Sequence, residues 1–266
     1  MADDSATGAE FTIGSVLRRS IGVITDNPVT VFGIAFLLGG LPSLFFNWFT
    51  QSAIRGDMDE LQAIGASAVS VISAIINIVL QALVVGALTR TTVAYANGDR
   101  ASIGESINAG LAVMLPLIGL SILMGLGILV GFMILLIPGI ILYVMWSVAA
   151  PALVAERQGV MNAFGRSREL TRGGRWKVFG LLVILLVIYW IVSAIAGAVA
   201  FGAVGFDLET AATTLADGLP LSWIVVNALS STLLLAVWST ISASLYVELR
   251  RWKEGPEDQD LAEIFA

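Results

Sequence analysis

From Pro151 to Lys177 a charged interruption breaks an otherwise apolar second half of the chain. It carries Glu156, Arg157, Arg166, Arg168, Glu169, Arg172, Arg175 and Lys177, and so six of the 14 basic residues. Six cations against two carboxylates suit contact with a phosphate or a lipid headgroup, at about 1 kcal/mol per basic residue near an anionic leaflet. The same charges also serve to hold a loop on one side of a membrane. Glu156 and Glu248 each close an apolar run at its charged end. A carboxylate there suits a proton-coupled step or a structural ion pair, with Arg90, Arg166, Arg175 and Arg250 as candidate partners. Inside the apolar runs, Asn47, Asn77, Gln81 and Asn227 offer either a polar path or interhelical hydrogen bonds.

Missing residue types narrow the chemistry further. The chain has no histidine and no cysteine. The usual general base, the commonest metal ligand and thiolate nucleophiles go with them. Gly125-Leu126-Gly127 lies in the middle of an apolar run, where no phosphate reaches it. No catalytic set, cofactor or metal is expected, and no nucleic-acid partner. A proton pump, a voltage sensor or a channel with a charged ring would need ionisable residues deep in a run, and none is there.

The elements that must position these residues belong to a membrane protein. Hydrophobic residues make up 57% of the chain and charged ones 13%, against about 25% charged in a soluble chain. Since roughly 20 apolar residues cross a bilayer, spans are expected at Val31–Phe49, Leu61–Thr89, 112–134, 139–156, Val178–Phe206 and Leu219–Val247. The uncharged run Ser106–Ala155 is too long for one crossing. It is divided at Ile137-Pro138-Gly139, where proline lacks an amide and glycine accepts positive φ. Gly39, Gly40 and Pro42 are expected to bend the first span.

An amphipathic helix is expected before each pair of spans. The first starts at Thr12, with Ile13, Val16, Leu17, Ile21 and Ile24 at helical spacing, and stops at Asp26-Asn27-Pro28. The second starts at Ser102, where Ser102 and Glu105 form the pattern of a capping box. The third starts at Gly159. Val160, Ala163, Phe164, Ser167, Leu170 and Thr171 share one arc, opposite Asn162, Arg166, Glu169 and Arg172. Such helices lie where oil meets water. The fold class is therefore all-α: a polytopic integral membrane protein with six transmembrane helices, three interfacial helices and a threefold internal repeat. The repeat units fall at about 11–97, 98–156 and 157–253, within one membrane domain over 11–253. An acidic disordered tail over 1–10, an acidic loop over 207–218 and an acidic cytoplasmic tail over 254–266 complete the chain. The acidic start lacks the basic region of a signal peptide, and no cleavage is expected.

Six spans put Arg18, Arg19, Arg90, Arg100, Arg157, Arg166, Arg168, Arg172, Arg175, Lys177, Arg250, Arg251 and Lys253 on one side, and only Arg55 on the other. That asymmetry predicts both termini in the cytoplasm, with the spans in the cell membrane. Trp48 and Trp223 then fall at one interface, Trp176 and Trp252 at the other. Gly127-x-x-x-Gly131 and Ala194-x-x-x-Ala198-x-x-x-Gly202 mark faces where helices can pack closely.

The stretch Pro151-Ala-Leu-Val-Ala-Glu156-x-x-Gly159-x-x-x-Ala163-x-x-x-Ser167-x-x-Leu170-Thr171-x-Gly173-x-x-Trp176 resembles the motif of the bacterial glycerophosphoryl diester phosphodiesterase membrane domain and of related six-span families. Phe11-Thr-Ile-Gly-Ser-Val-Leu17 at the start and Leu245-Tyr246-Val-Glu248-Leu-Arg250-Arg251 near the close agree with it. The soluble phosphodiesterase fused to that module works with histidines and metal-binding carboxylates, so its activity is not implied here. The resemblance implies a multi-pass inner-membrane module concerned with lipids or their headgroups.

The expected function is thus a non-enzymatic membrane module whose partners are the bilayer and its anionic phospholipids. Glu156, Arg166, Arg168, Arg172, Arg175, Lys177, Glu248 and Arg250 form the candidate headgroup or ion-pair cluster. The alternative is a small-solute or lipid transporter whose path passes Asn77, Gln81 and Asn227.

Overall fold

A computed structural model describes residues 11–54, 60–204 and 220–255, and among these there is no strand. The expected tails over 1–10 and 256–266, Arg55 and the acidic loop over 207–218 lie outside the described residues. Helix α1 (Ile13–Asp26) is capped by Thr12, whose hydroxyl accepts the Ser15 amide at 3.1 Å. Pro28 opens α2 (Pro28–Ala35), at the position where a missing amide costs nothing. A wider π turn over Phe36–Gly40 joins it to α3 (Leu41–Ile54). Of the residues expected to bend the first span, Gly39 and Gly40 fall on that turn and Pro42 in the first turn of α3. Next come α4 (Glu60–Ala96), α5 (Ile103–Ala112), α6 (Met114–Ile134), α7 (Leu136–Trp146) and α8 (Ala149–Glu156). The rest is α9 (Val160–Thr171), α10 (Arg175–Val204) and α11 (Leu221–Glu254).

Six segments among the described residues are long and apolar enough to cross a membrane: Pro28–Phe49, Ser70–Ala96, Met114–Ile134, Leu136–Glu156, Arg175–Gly202 and Leu221–Glu254. The protein is an all-α, multi-pass membrane protein. The turn between the third and fourth spans falls at Leu135, not at Ile137-Pro138-Gly139. Leu135 takes up extended backbone (φ −165°, ψ 153°), and Pro138 sits in the first turn of α7, where helical amides have no partner in any case. Gly139 serves packing instead. A Cβ on Gly131 would come within 3.0 Å of the Gly139 Cα, so α6 and α7 approach with backbone against backbone. Gly127 shares that face, its missing side chain leaving room for Trp146. Ala194 and Ala198 on α10, by contrast, are exposed.

Three apolar clusters make the core. Phe11, Val16, Val148, Leu170 and Tyr246 join α1, α9 and α11 around the middle of the fourth span. Val23, Ile34, Leu88 and Ala236 join α1, α2, α4 and α11. Leu117, Leu153 and Ala163 join α6, α8 and α9. The α6 and α10 spans bury only 17% of their most apolar windows inside the protein and turn apolar faces outward, as lipid-facing helices do.

All three short helices form where expected, each ahead of a pair of spans. The arc of α9 is satisfied by protein rather than by oil: Ala163, Ser167, Leu170 and Thr171 are buried. Small side chains at 163 and 167 allow that approach.

The charged end of the bundle is tied together across long sequence separations. Arg19 Nε donates to Glu248 Oε1 at 2.6 Å, and Tyr95 Oη to Asp26 Oδ2 at 2.8 Å. Lys177 Nζ donates to the Phe11 carbonyl at 2.9 Å, and Arg251 Nη2 to the Ala96 carbonyl at 2.8 Å. Every basic residue among the described ones belongs to a segment at this end.

Candidate functional site: the charged end of the bundle

Glu156, the last residue of α8, is the hub. Its carboxylate accepts Arg166 Nε at 2.8 and 3.1 Å, the Tyr246 hydroxyl at 2.9 Å and Gln158 Nε2 at 2.9 Å. Arg166 in turn reaches Glu254 through Nη2 and Glu169 through Nη1 at 3.5 Å. Arg250 Nε closes the network on Glu254 at 3.0 Å. Burial by itself would make the Arg166 guanidinium easier to deprotonate. The bonds and charges of Glu156 and Glu254 more than offset that and raise its pKa above the ordinary arginine value. Three donors thus converge on a carboxylate with about four lone-pair sites, one of them a cation, which is the arrangement a half-buried acid at a span end needs.

Glu248, the other expected carboxylate, pairs with Arg19 rather than with Arg90, Arg175 or Arg250. The reason is tertiary, because α1 packs along α11 and brings residues 19 and 248 together. Arg19, Tyr246 and Glu254 were not among the expected site residues. Tyr246, two positions before Glu248, carried the best signal available: a buried phenol needs an acceptor.

Ser167 has a separate task. The fourth span is interrupted between α7 and α8, and Ser167 Oγ donates to the Met145 carbonyl at 2.8 Å while accepting the Val148 amide at 3.3 Å. Ser242 Oγ adds a bond to the Ser147 carbonyl at 3.2 Å. Backbone groups freed by a break inside a span must find partners within the protein, and α9 and α11 supply them.

The basic residues at this end differ in how they are held. Arg166 and Arg250 are neutralised by carboxylates, and Lys177 is tied to a backbone carbonyl. Arg18, Arg90, Arg100, Arg157, Arg168 and Arg172 are exposed and make no ion pair among the described residues. Arg175 is half-buried, with its Nε unpartnered. Between α4, α5 and α8 lies a cavity of about 270 Å³, with Arg90 and Arg157 on its wall beside Thr89, Val93, Ala109 and Ala155. Arg157 caps α8 in the left-handed region (φ 50°, ψ 34°) and is the one non-glycine residue at positive φ among the described residues. Glu105 closes its capping box by accepting the Ser102 amide at 2.9 Å. That bond, chiefly, holds its carboxyl below the usual range, with a smaller contribution from the charge of Arg90.

Residues 11–249 match the family model of a domain of unknown function, DUF7847. The chain belongs to the DUF7847 family. No curated protein and no solved structure matches it. The description of the DUF7847 family makes no link to the phosphodiesterase membrane module.

Elsewhere in this DUF7847 domain, the intramembrane amides stay apart from both cavities. Asn77 Nδ2 donates to the Ser73 carbonyl one turn back at 3.0 Å, while Gln81 and Asn227 are exposed on the bundle surface. A second cavity, of about 190 Å³, lies among the spans and is lined by Tyr143, Trp146, Ser147, Trp238, Ser239 and Ser242, among others. Among the described residues no three acidic side chains gather in a way that would hold a metal ion.

Proposed function

We propose that this protein is a non-enzymatic multi-pass membrane module. Its charged end engages the anionic phospholipid headgroups of the cytoplasmic leaflet of the cell membrane, with both termini on that side. One observation carries the reading. At the charged end, Arg18, Arg90, Arg100, Arg157, Arg168 and Arg172 stay exposed without an acidic partner among the described residues, although Arg19, Arg166 and Arg250 at the same end are neutralised. Exposed charges suit an external anion at a surface that lies beside lipid phosphates. The exposed Trp176, at the start of the fifth span, fits the same interface as an amphipathic anchor.

The test is a lipid titration of the purified protein in a neutral detergent. Phosphatidylglycerol is expected to raise the thermal midpoint by several degrees and phosphatidylcholine is not. The rise should shrink in the Arg168→Glu/Arg172→Glu variant and at high salt, since exposed charges are screened beyond about 10 Å at 0.1 M. Equal responses to the two lipids would overturn the reading.

A further inference from the structure

We propose that the cavity between α4, α5 and α8 is a binding site for a phosphate-bearing anion, held between the guanidinium groups of Arg90 and Arg157. This rests on the headgroup reading and adds to it a defined place and a defined chemistry.

Three observations converge on the site. First, Arg90 and Arg157 line one void of about 270 Å³, no carboxylate lines it, and neither arginine makes an ion pair among the described residues. That volume suits a small anionic group rather than a single water. Two like charges sharing a void repel each other. An anion between them turns that repulsion into two attractions.

Second, the neighbouring acids are engaged elsewhere. Glu156 directly precedes Arg157, yet its carboxylate is taken up by Arg166, Tyr246 and Gln158. Glu105, within electrostatic reach of Arg90, is held by the Ser102 amide. Among the described residues neither guanidinium of the cavity has an ion-pair partner, and Glu105 acts on Arg90 only at longer range.

Third, the backbone is strained in order to place Arg157. A residue that ends a helix in the left-handed region is usually glycine, because a side chain there brings Cβ too close to the backbone. Glycine fills the other described positive-φ positions, at Gly98, Gly173 and Gly255. At 157 the chain keeps an arginine and accepts the strain. Such outliers persist where the side chain has a use.

Two guanidinium forks match the tetrahedral oxygens of a phosphate ester better than the flat edge of one carboxylate, hence the choice of phosphate. Ala109 and Ala155 line the same cavity with short side chains, which leave room beside the two arginines. The same chemistry is presented by an anionic lipid headgroup and by a free phosphate or phosphate ester.

The experiment uses the full-length protein in a neutral detergent, with phosphatidylglycerol, phosphatidylcholine, inorganic phosphate and glycerol 3-phosphate as probes. Three proteins are compared: wild type, Arg157→Gly, and the surface variant Arg168→Glu/Arg172→Glu. Because glycine relieves the left-handed strain, Arg157→Gly is expected to fold with an unchanged or higher thermal midpoint when no probe is present. Its apparent Kd for the effective probe should nevertheless rise tenfold or more. Arg90→Gln should weaken binding in the same direction.

If the source is lipid, phosphatidylglycerol alone produces the response that Arg157→Gly loses. If it is soluble, inorganic phosphate or glycerol 3-phosphate does. Loss of the phosphatidylglycerol response in Arg157→Gly, against only a partial reduction in the surface variant, supports the cavity as the site of tight contact. Loss in the surface variant with full retention in Arg157→Gly overturns the cavity and leaves the broader headgroup reading standing. Equal binding of every probe by wild type and Arg157→Gly, or binding of none, overturns the proposal.

Discussion

The Glu156 carboxylate shows how a charge at the end of a membrane span is made tolerable. It receives a two-oxygen contact from Arg166, a phenol from Tyr246 and an amide from Gln158. Removing Arg166 leaves that carboxylate half-buried without its cation. Arg166→Ala is therefore expected to destabilise the protein by about 3 kcal/mol. Arg166→Lys should recover only part of the loss, since an ammonium cannot bridge Glu156 and Glu254 with a planar fork. Reversible chemical denaturation in detergent measures both, and an Arg166→Ala protein as stable as wild type would contradict the anchor role. That Glu156 matters was legible in the sequence, because a lone acid closing an apolar run needs a partner. Which arginine it takes was partly legible. Arg166 was one of four candidates, whereas Arg19, which pairs with Glu248, was none, since 229 residues separate the two and only the packing of α1 on α11 unites them.

Helix α9 illustrates the limit of reading amphipathicity from spacing. Its two arcs were correctly separated, with Ala163, Ser167, Leu170 and Thr171 on the buried one. Periodicity reports that one side is less polar than the other. It is silent on whether the less polar side meets lipid or protein. Here it meets protein, because the fourth span is broken between Trp146 and Ala149 and Ser167 reaches into the gap. Hydropathy could not reveal that break, since the residues around it, Met145 to Ala150, are uniformly uncharged. Ser167→Ala would leave the Met145 carbonyl and the Val148 amide without their side-chain partner in a buried place. A loss of about 2 kcal/mol is expected, read as a lower denaturation midpoint. Ser167→Ala that unfolds at the wild-type midpoint would mean the break is satisfied in another way. Ser102, by contrast, announced its role outright: the Ser102 and Glu105 pattern forms the capping box as written, because that motif needs only residues within one turn.

For the molecule as a whole, the even number of spans gathers the basic segments at one end, and the bonds Arg19–Glu248, Lys177–Phe11 and Arg251–Ala96 hold them there. Orientation can be tested cleanly because the chain has no cysteine. Single substitutions Arg100→Cys and Arg168→Cys are expected to resist a membrane-impermeant maleimide in intact cells and to react after permeabilisation, while Arg55→Cys reacts from outside. Labelling of Arg168→Cys in intact cells would invert the topology. The class of fold, the number of spans and the gathering of positive charge follow from the sequence alone. They depend on totals and on local order: runs of apolar residues, their lengths, and the side on which each loop must fall. Tertiary structure decided which charges are neutralised and which stay free, where the fourth span breaks, and that Arg90 and Arg157 share a cavity. Those are meetings of residues far apart in the chain, produced by helix packing, and a one-dimensional pattern does not contain them.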